Sequence, residues 1–149
     1  MKRFLKALAV LSVTLMLVVG CAVGLHSLKP GVDIETIFKV VDTMPVDKEG
    51  WKLMSVPAKD FATSGIKYVF VRNDLLGTYG YGIFGNDSAL LIIYDGATEK
   101  WSFCQLPFCW FITEADVAKL EQEFLKLFYE NGDFSKVSGT LQVRELKEI

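Results

Sequence analysis

The sequence predicts an α+β fold: a single domain with a mainly antiparallel sheet of about five or six strands and a helix from the C-terminal half packed on one face. Three observations carry this expectation. Five runs of strand composition follow one another from Trp51 to Leu106, joined by connectors rich in turn residues and too short for crossovers. One long stretch, Thr113 to Asn131, repeats apolar residues at helical spacing and carries stop and start signals at its ends. With 149 residues, the chain is long enough for one hydrophobic core and too short to expect two.

In order along the chain, Asp33 is an acceptable N-cap for "DIETIFKVVD", where Ile34, Ile37, Phe38 and Val41 recur at helical spacing. "TMPVDKEG" breaks that helix, and Trp51 to Val56 forms the first strand, bounded by Pro57. The next strands are "IKYVFVR" from Ile66, "TYGYGIF" from Thr78, "SALLIIY" from Ser88 and "KWSFCQL" from Lys100. Their connectors "NDLLG", "GND" and "DGATE" predict consecutive hairpins, a meander. "SALLIIY" is apolar at both alternating sets of positions, which places it centrally with cover on both sides. In the long helix, Thr113 and Asp116 form a capping pair, while Asn131 and Gly132 supply the stop. Its apolar stripe is Val117, Leu120, Phe124, Leu127 and Phe128, and Lys119, Glu121, Glu123 and Lys126 are expected on the solvated face. A last strand, "GTLQVREL" from Gly139, alternates Leu141 and Val143 with Thr140, Gln142 and Arg144, the pattern of an edge strand with one wet side.

The N-terminus has a different character. Lys2, Arg3 and Lys6 precede the uncharged run "ALAVLSVTLMLVV", and small residues and a cysteine follow, the three regions of an export signal. "VVGC", Val18 to Cys21, resembles the lipobox of a bacterial lipoprotein precursor. The resemblance covers about a seventh of the chain and implies cleavage before Cys21 and attachment of a lipid to its sulfur. By that reading residues 1–20 are a signal peptide, residues 21–32 a membrane-proximal tether and residues 33–149 the folded domain. Two other readings of the same run stand beside it: a signal cut after Ala22, and an uncut anchor helix from about Ala7 to Leu25, long enough for a hydrocarbon layer of roughly 30 Å. All three place the remainder of the chain outside the cytoplasm, because the three bases hold the N-terminus inside. The expected location is therefore the cell envelope, facing the periplasm or the cell surface.

Several function classes are excluded by composition and spacing. Apolar residues make up 51% and charged residues 23%, which is globular rather than disordered usage. Beyond residue 20 there are 13 basic against 18 acidic residues, a net charge of −5, so the body has no surplus of bases to neutralise the phosphates of a nucleic acid. "GYGIFG", Gly80 to Gly85, fits the dinucleotide pattern G-x-G-x-x-G, but the pattern needs a helix after it and here the strand-like "SALLIIY" follows. Within "TYGYGIF" the alternation instead puts Tyr79, Tyr81 and Ile83 on one face and Gly80, Gly82 and Phe84 on the other, a glycine-paved patch that another group can approach closely. His26, the only histidine, falls in the tether, so the folded part has no Ser-His-Asp or Cys-His set and no multi-histidine metal site. Asp74, Asp87, Asp95 and Glu99 stand in the connectors, where acids serve turn chemistry. No catalytic residue, metal ligand or cofactor is expected.

Cys104 and Cys109 remain an even pair once Cys21 is lipidated, in a compartment that permits disulfides. A reversal at Leu106-Pro107 puts the two opposite each other, as a candidate disulfide, with a cis peptide or a looser loop at the proline. Around them cluster Trp101, Phe103, Phe108, Trp110 and Phe111. Such residues either fill the junction of sheet and helix or form a surface for a protein partner or a bilayer interface; Trp101, Phe108 and Trp110 are the candidate partner residues. The expected function is that of a lipid-anchored envelope protein with a non-enzymatic binding or structural role towards another envelope protein or component. The alternatives are a small extracytoplasmic hydrolase using turn carboxylates and an enzyme inhibitor presenting the Cys104–Cys109 loop.

Overall fold

The computed structural model describes residues 33–138, and the leader, Cys21, the tether and the expected strand from Gly139 lie outside the described residues. The fold is α+β: a six-stranded antiparallel sheet in chain order, with helices on one face. Helix α1 (Ile34–Val41) starts where Asp33 accepts hydrogen bonds from the Thr36 backbone N–H at 3.0 Å and hydroxyl at 2.7 Å. Its buried side is Ile37, Phe38 and Val41, as the spacing requires. The following turn is folded back by Asp47, whose carboxylate accepts from the N–H groups of Glu49 and Trp51. Val46 thereby bridges to Lys52 at the outer edge of the first strand.

The strands are β1 (Trp51–Pro57), β2 (Lys67–Asn73), β3 (Thr78–Phe84), β4 (Ala89–Asp95), β5 (Lys100–Gln105) and β6 (Phe108–Ile112). The expected meander is present, with "SALLIIY" interior as β4. Two elements depart from the expectation. A one-turn helix α2 (Phe61–Ser64) sits between β1 and β2 and ends at Gly65, whose φ of 66° a side chain would strain. The sixth strand is Phe108–Ile112, a run that the sequence pattern does not mark as a strand. After the reversal the chain keeps pairing with β5, from Gln105 opposite Phe108 to Trp101 opposite Ile112. "FCWFI" shows no polar alternation, but its aromatic and β-branched residues suit a pleated surface.

Residue parity builds two apolar layers. Met54, Val56, Tyr68, Phe70, Tyr81 and Ile92 face the helices, and Leu53, Val69, Val71, Leu91, Ile93 and Cys104 form a second buried cluster on the opposite face. The buried members of that second cluster are all strand residues, with Leu106 of the β5–β6 turn packed against them. The alternation expected for β3 holds, with Tyr79, Tyr81 and Ile83 packed into the helix-side cluster. Gly82 pairs with Leu91, and a Cβ there would stand 2.6 Å from the Leu91 side chain, so the glycine lets Leu91 lie across the strand.

Helix α3 (Glu114–Asn131) lies on the first face. Thr113 and Asp116 form the reciprocal capping box that the sequence predicts. Phe124 and Phe128 meet Phe70 at centroid distances of 5.5 and 5.1 Å, and Tyr68 meets Phe128 at 5.7 Å. The stripe is narrower than expected and rotated. Leu127 is 42% exposed, whereas Glu121, expected in solvent, is half-buried. Val117, Glu121, Phe124 and Phe128 follow one line of three- and four-residue steps, and Leu127 lies off that line. At the far end Gly132 bridges to Ala58, and Lys59 donates to the carbonyls of Glu130 and Asn131. The helix has no basic residue in its own last turn, so this cation complements its negative end. Ser138 then pairs with Ser55 on the outer edge of β1.

The rotated stripe makes a testable distinction between two neighbours. Phe128→Ala should lower unfolding free energy by about 3–5 kcal/mol and Leu127→Ala by less than about 1 kcal/mol, read from urea midpoints at constant slope.

Candidate functional site

Two surfaces are built where helices α1 and α3 leave the sheet uncovered. The first is the β5–β6 hairpin. Cys104 and Cys109 face each other across it, with Cα atoms 4.1 Å apart and sulfurs at disulfide distance, and the Leu106-Pro107 peptide in the reversal is cis. Cys104 is fully buried in the second apolar cluster. Beyond this clip the aromatic side chains emerge: Phe108 is 72% exposed, Trp110 48% and Phe111 60%. Trp110 leans on Phe103 with ring centroids 5.3 Å apart, and the ammonium of Lys100 stands 4.8 Å over the ring of Phe111. Strand β6 is the last in the sheet order, so this cluster lies along a sheet edge with no further strand among the described residues.

Of the three candidate partner residues, Phe108 and Trp110 are on this edge. Trp101 is elsewhere: it is half-buried among Tyr79 and Tyr94, at 5.5 and 5.1 Å, and lines a different feature. That feature is a cleft of about 780 Å³ between α1 and the end of the sheet where β2 turns into β3. Its wall is mixed. Phe38, Tyr79 and Trp101 supply rings, with Tyr79 edge-on to both of the others. Asp33, Glu35, Asp42, Asp74 and Glu121 supply carboxylates, and Lys39 and Arg72 the bases.

The charges on that wall are not equivalent. Arg72 reaches Asp74 at 2.8 Å and Asp42 at 3.2 Å, and Lys52 stands 3.6 and 3.7 Å from the same two acids. The hydrogen bond from Arg72 holds the Asp74 carboxyl below the ordinary carboxylate range. Asp33 is lowered as well, by its bonds from Thr36 at the start of α1. Glu121 is the opposite case. Burial pushes its pKa up, the acids Asp33 and Glu35 push in the same direction, and the Tyr81 hydroxyl, donating at 3.2 Å, opposes them. Tyr81 itself is held well above the usual phenol range by desolvation first and by Glu121 next.

Of the four turn acids, Asp95 serves turn chemistry as expected, whereas in the β2–β3 turn Asn73 accepts from the Leu75 and Leu76 N–H groups in place of Asp74. Asp95 accepts from the Ala97 N–H at 3.0 Å, and Asp74 is occupied by Arg72 and Lys52. Asp87 lies in the β3–β4 turn, at the opposite end of the sheet from Asp74, Asp95 and Glu99. Gly80 and Gly82 lie inside β3 and Gly85 in the turn before β4, so "GYGIFG" forms a strand and its exit. Among the described residues no helix is long and apolar enough to cross a membrane.

The cleft was missed in the sequence because its walls come from α1, the β2–β3 hairpin, β5 and α3. One signal was available: Glu121 falls on the same helical line as Val117, Phe124 and Phe128. No protein-family model matches the chain, and no curated protein or solved structure matches it either.

The state of Glu121 sets a pH dependence. A carboxyl whose folded pKa is raised adds stability when protonated, and that gain is lost as pH rises through its folded value. Glu121→Gln keeps an acceptor for Tyr81 without the charge. It should raise the melting temperature at pH 7, and the advantage should shrink as pH falls through the Glu121 titration, measured by calorimetry over that range.

Proposed function

We propose that this chain is an extracytoplasmic binding protein, held at a membrane through Cys21, that engages another envelope protein along the aromatic edge of β6. The observation carrying this reading is the run Phe108, Trp110 and Phe111, three large rings with 48–72% exposure on the last strand of the sheet. Phe108 and Trp110 project from one face of β6 and Phe111 from the other, so the rings flank the edge; exposed aromatics have a cost in water, and aromatic anchors are what binding hot spots are made of. An unpaired strand edge adds backbone N–H and C=O groups that a partner strand can meet, giving register as well as affinity. The sulfur pair at Cys104 and Cys109 fixes the hairpin so that little ordering remains to be done on binding. An oxidising compartment, which the export signal implies, keeps such a clip closed.

We read its role as non-catalytic: Asp33 serves as a helix cap, Asp95 as a turn acceptor and Asp74 as an ion-pair partner, and half-buried Glu121 is bonded by Tyr81. The anchor and the edge make separate predictions. Intact mass of protein from a membrane fraction should show a chain that begins at Cys21 and carries lipid, and Cys21→Ser should abolish both processing and lipid. In-membrane crosslinking followed by purification should recover a partner with the native chain. The combined variant Phe108→Ser, Trp110→Ser and Phe111→Ser should cut that recovery at least tenfold while leaving the far-UV spectrum unchanged. Equal recovery with native chain and variant would refute the edge as the docking surface.

A further inference from the structure

The cleft under α1 is separate from the β6 edge, and its chemistry suits a small molecule. Its aromatic wall is a corner: the rings of Tyr79 and Trp101 are 5.5 Å apart with their planes at 89°, and Tyr94 backs both at 5.4 and 5.1 Å. Both Tyr79 and Trp101 line the cavity. The charge on the wall is unbalanced. Arg72 is held by Asp42 and Asp74, and Asp33 is used as the cap of α1, which leaves Glu35 and Glu121 facing the cavity with Lys39 as the remaining base. Glu35 and Glu121 line the same cavity as Tyr79 and Trp101, so the carboxylates and the aromatic corner share one space.

We propose that this cleft binds an organic cation, with an ammonium head against Tyr79 and Trp101 and its charge balanced by Glu121. Ring faces attract a weakly hydrated cation, and a nearby carboxylate adds a Coulomb attraction that a half-buried site screens less than open water does. A hard metal ion fits less well, since among the described residues no three Asp, Glu, His or Cys side chains are grouped to hold one. The cavity, at about 780 Å³, has room for a head and a body beyond it, so the ligand class is an ammonium ion carrying an apolar or aromatic group. This site is independent of the proposed partner edge and of the lipid anchor.

The test separates charge from shape. Choline and its neutral isostere 3,3-dimethylbutan-1-ol are titrated into the full chain, following the Trp101 indole resonance by NMR, assigned with Trp101→Phe. Choline should bind in the millimolar range and the isostere at least about tenfold more weakly. Glu121→Gln, which keeps the acceptor for Tyr81, should weaken choline about fivefold, and Trp101→Leu should abolish its effect on the remaining cleft signals. A far-UV spectrum of Glu121→Gln and Trp101→Leu that matches the native chain separates loss of a contact from loss of the fold. Equal binding of both probes, a choline response unaffected by Glu121→Gln and Trp101→Leu, or no choline response at all would each overturn the proposal.

Discussion

The packing of α3 against the sheet through aromatic rings is the contact on which the other features depend. Phe124 and Phe128 stand on one line of the helix and meet Tyr68, Phe70 and Tyr81, so the two layers interlock through edge-to-face and tilted ring contacts. Large rings fix both the distance between layers and the rotation of the helix, because a turn of α3 that buried Leu127 would expel Phe124 or Phe128. The ends of the helix are then secured by separate means, Thr113 and Asp116 at one end and Lys59 with Gly132 at the other. Position, rotation and length of α3 are thus set together.

What α3 leaves uncovered follows from that placement. The rings of α3 seat on β2 and β3, and β1 is met at its outer edge by Val46 and Ser138, so among the described residues the sheet edge without a pairing partner is β6. The cleft arises for a related reason. Helix α1 covers Phe70 and approaches Tyr79, and the space between its N-terminal turn and the start of α3's buried line is filled by neither. Glu121 faces that space because it shares the line of Val117 and Phe124. Its carboxylate is kept from full burial by the same gap that makes the cavity.

The two surfaces differ in what they can discriminate. The β6 edge presents rings and backbone, which favour a large partner that excludes water over a long strip. The cleft presents rings beside five acids and two bases, and that surplus of negative charge favours a small ligand of the opposite sign. Five of the acids of this domain, Asp33, Glu35, Asp42, Asp74 and Glu121, line that one cleft, where Arg72 engages Asp42 and Asp74.

Much of the fold was legible locally. The α1 and α3 caps, the five hairpin strands, the centrality of β4 and the two faces of β3 are properties of residues within a few positions of each other, so periodicity and turn chemistry decide them. The candidate disulfide was legible for the same reason, as a pairing across a short reversal. Strand β6 was not, because a short run of aromatics without alternation has no period to read, and its pairing with β5 is what makes it a strand. Tertiary structure alone decided which aromatics are wet, that Trp101 belongs to a cleft while Phe108 and Trp110 do not, and that Glu121 is turned inward. Those outcomes depend on where a helix of fixed length settles across a sheet, a contact between residues some fifty positions apart that no local pattern encodes.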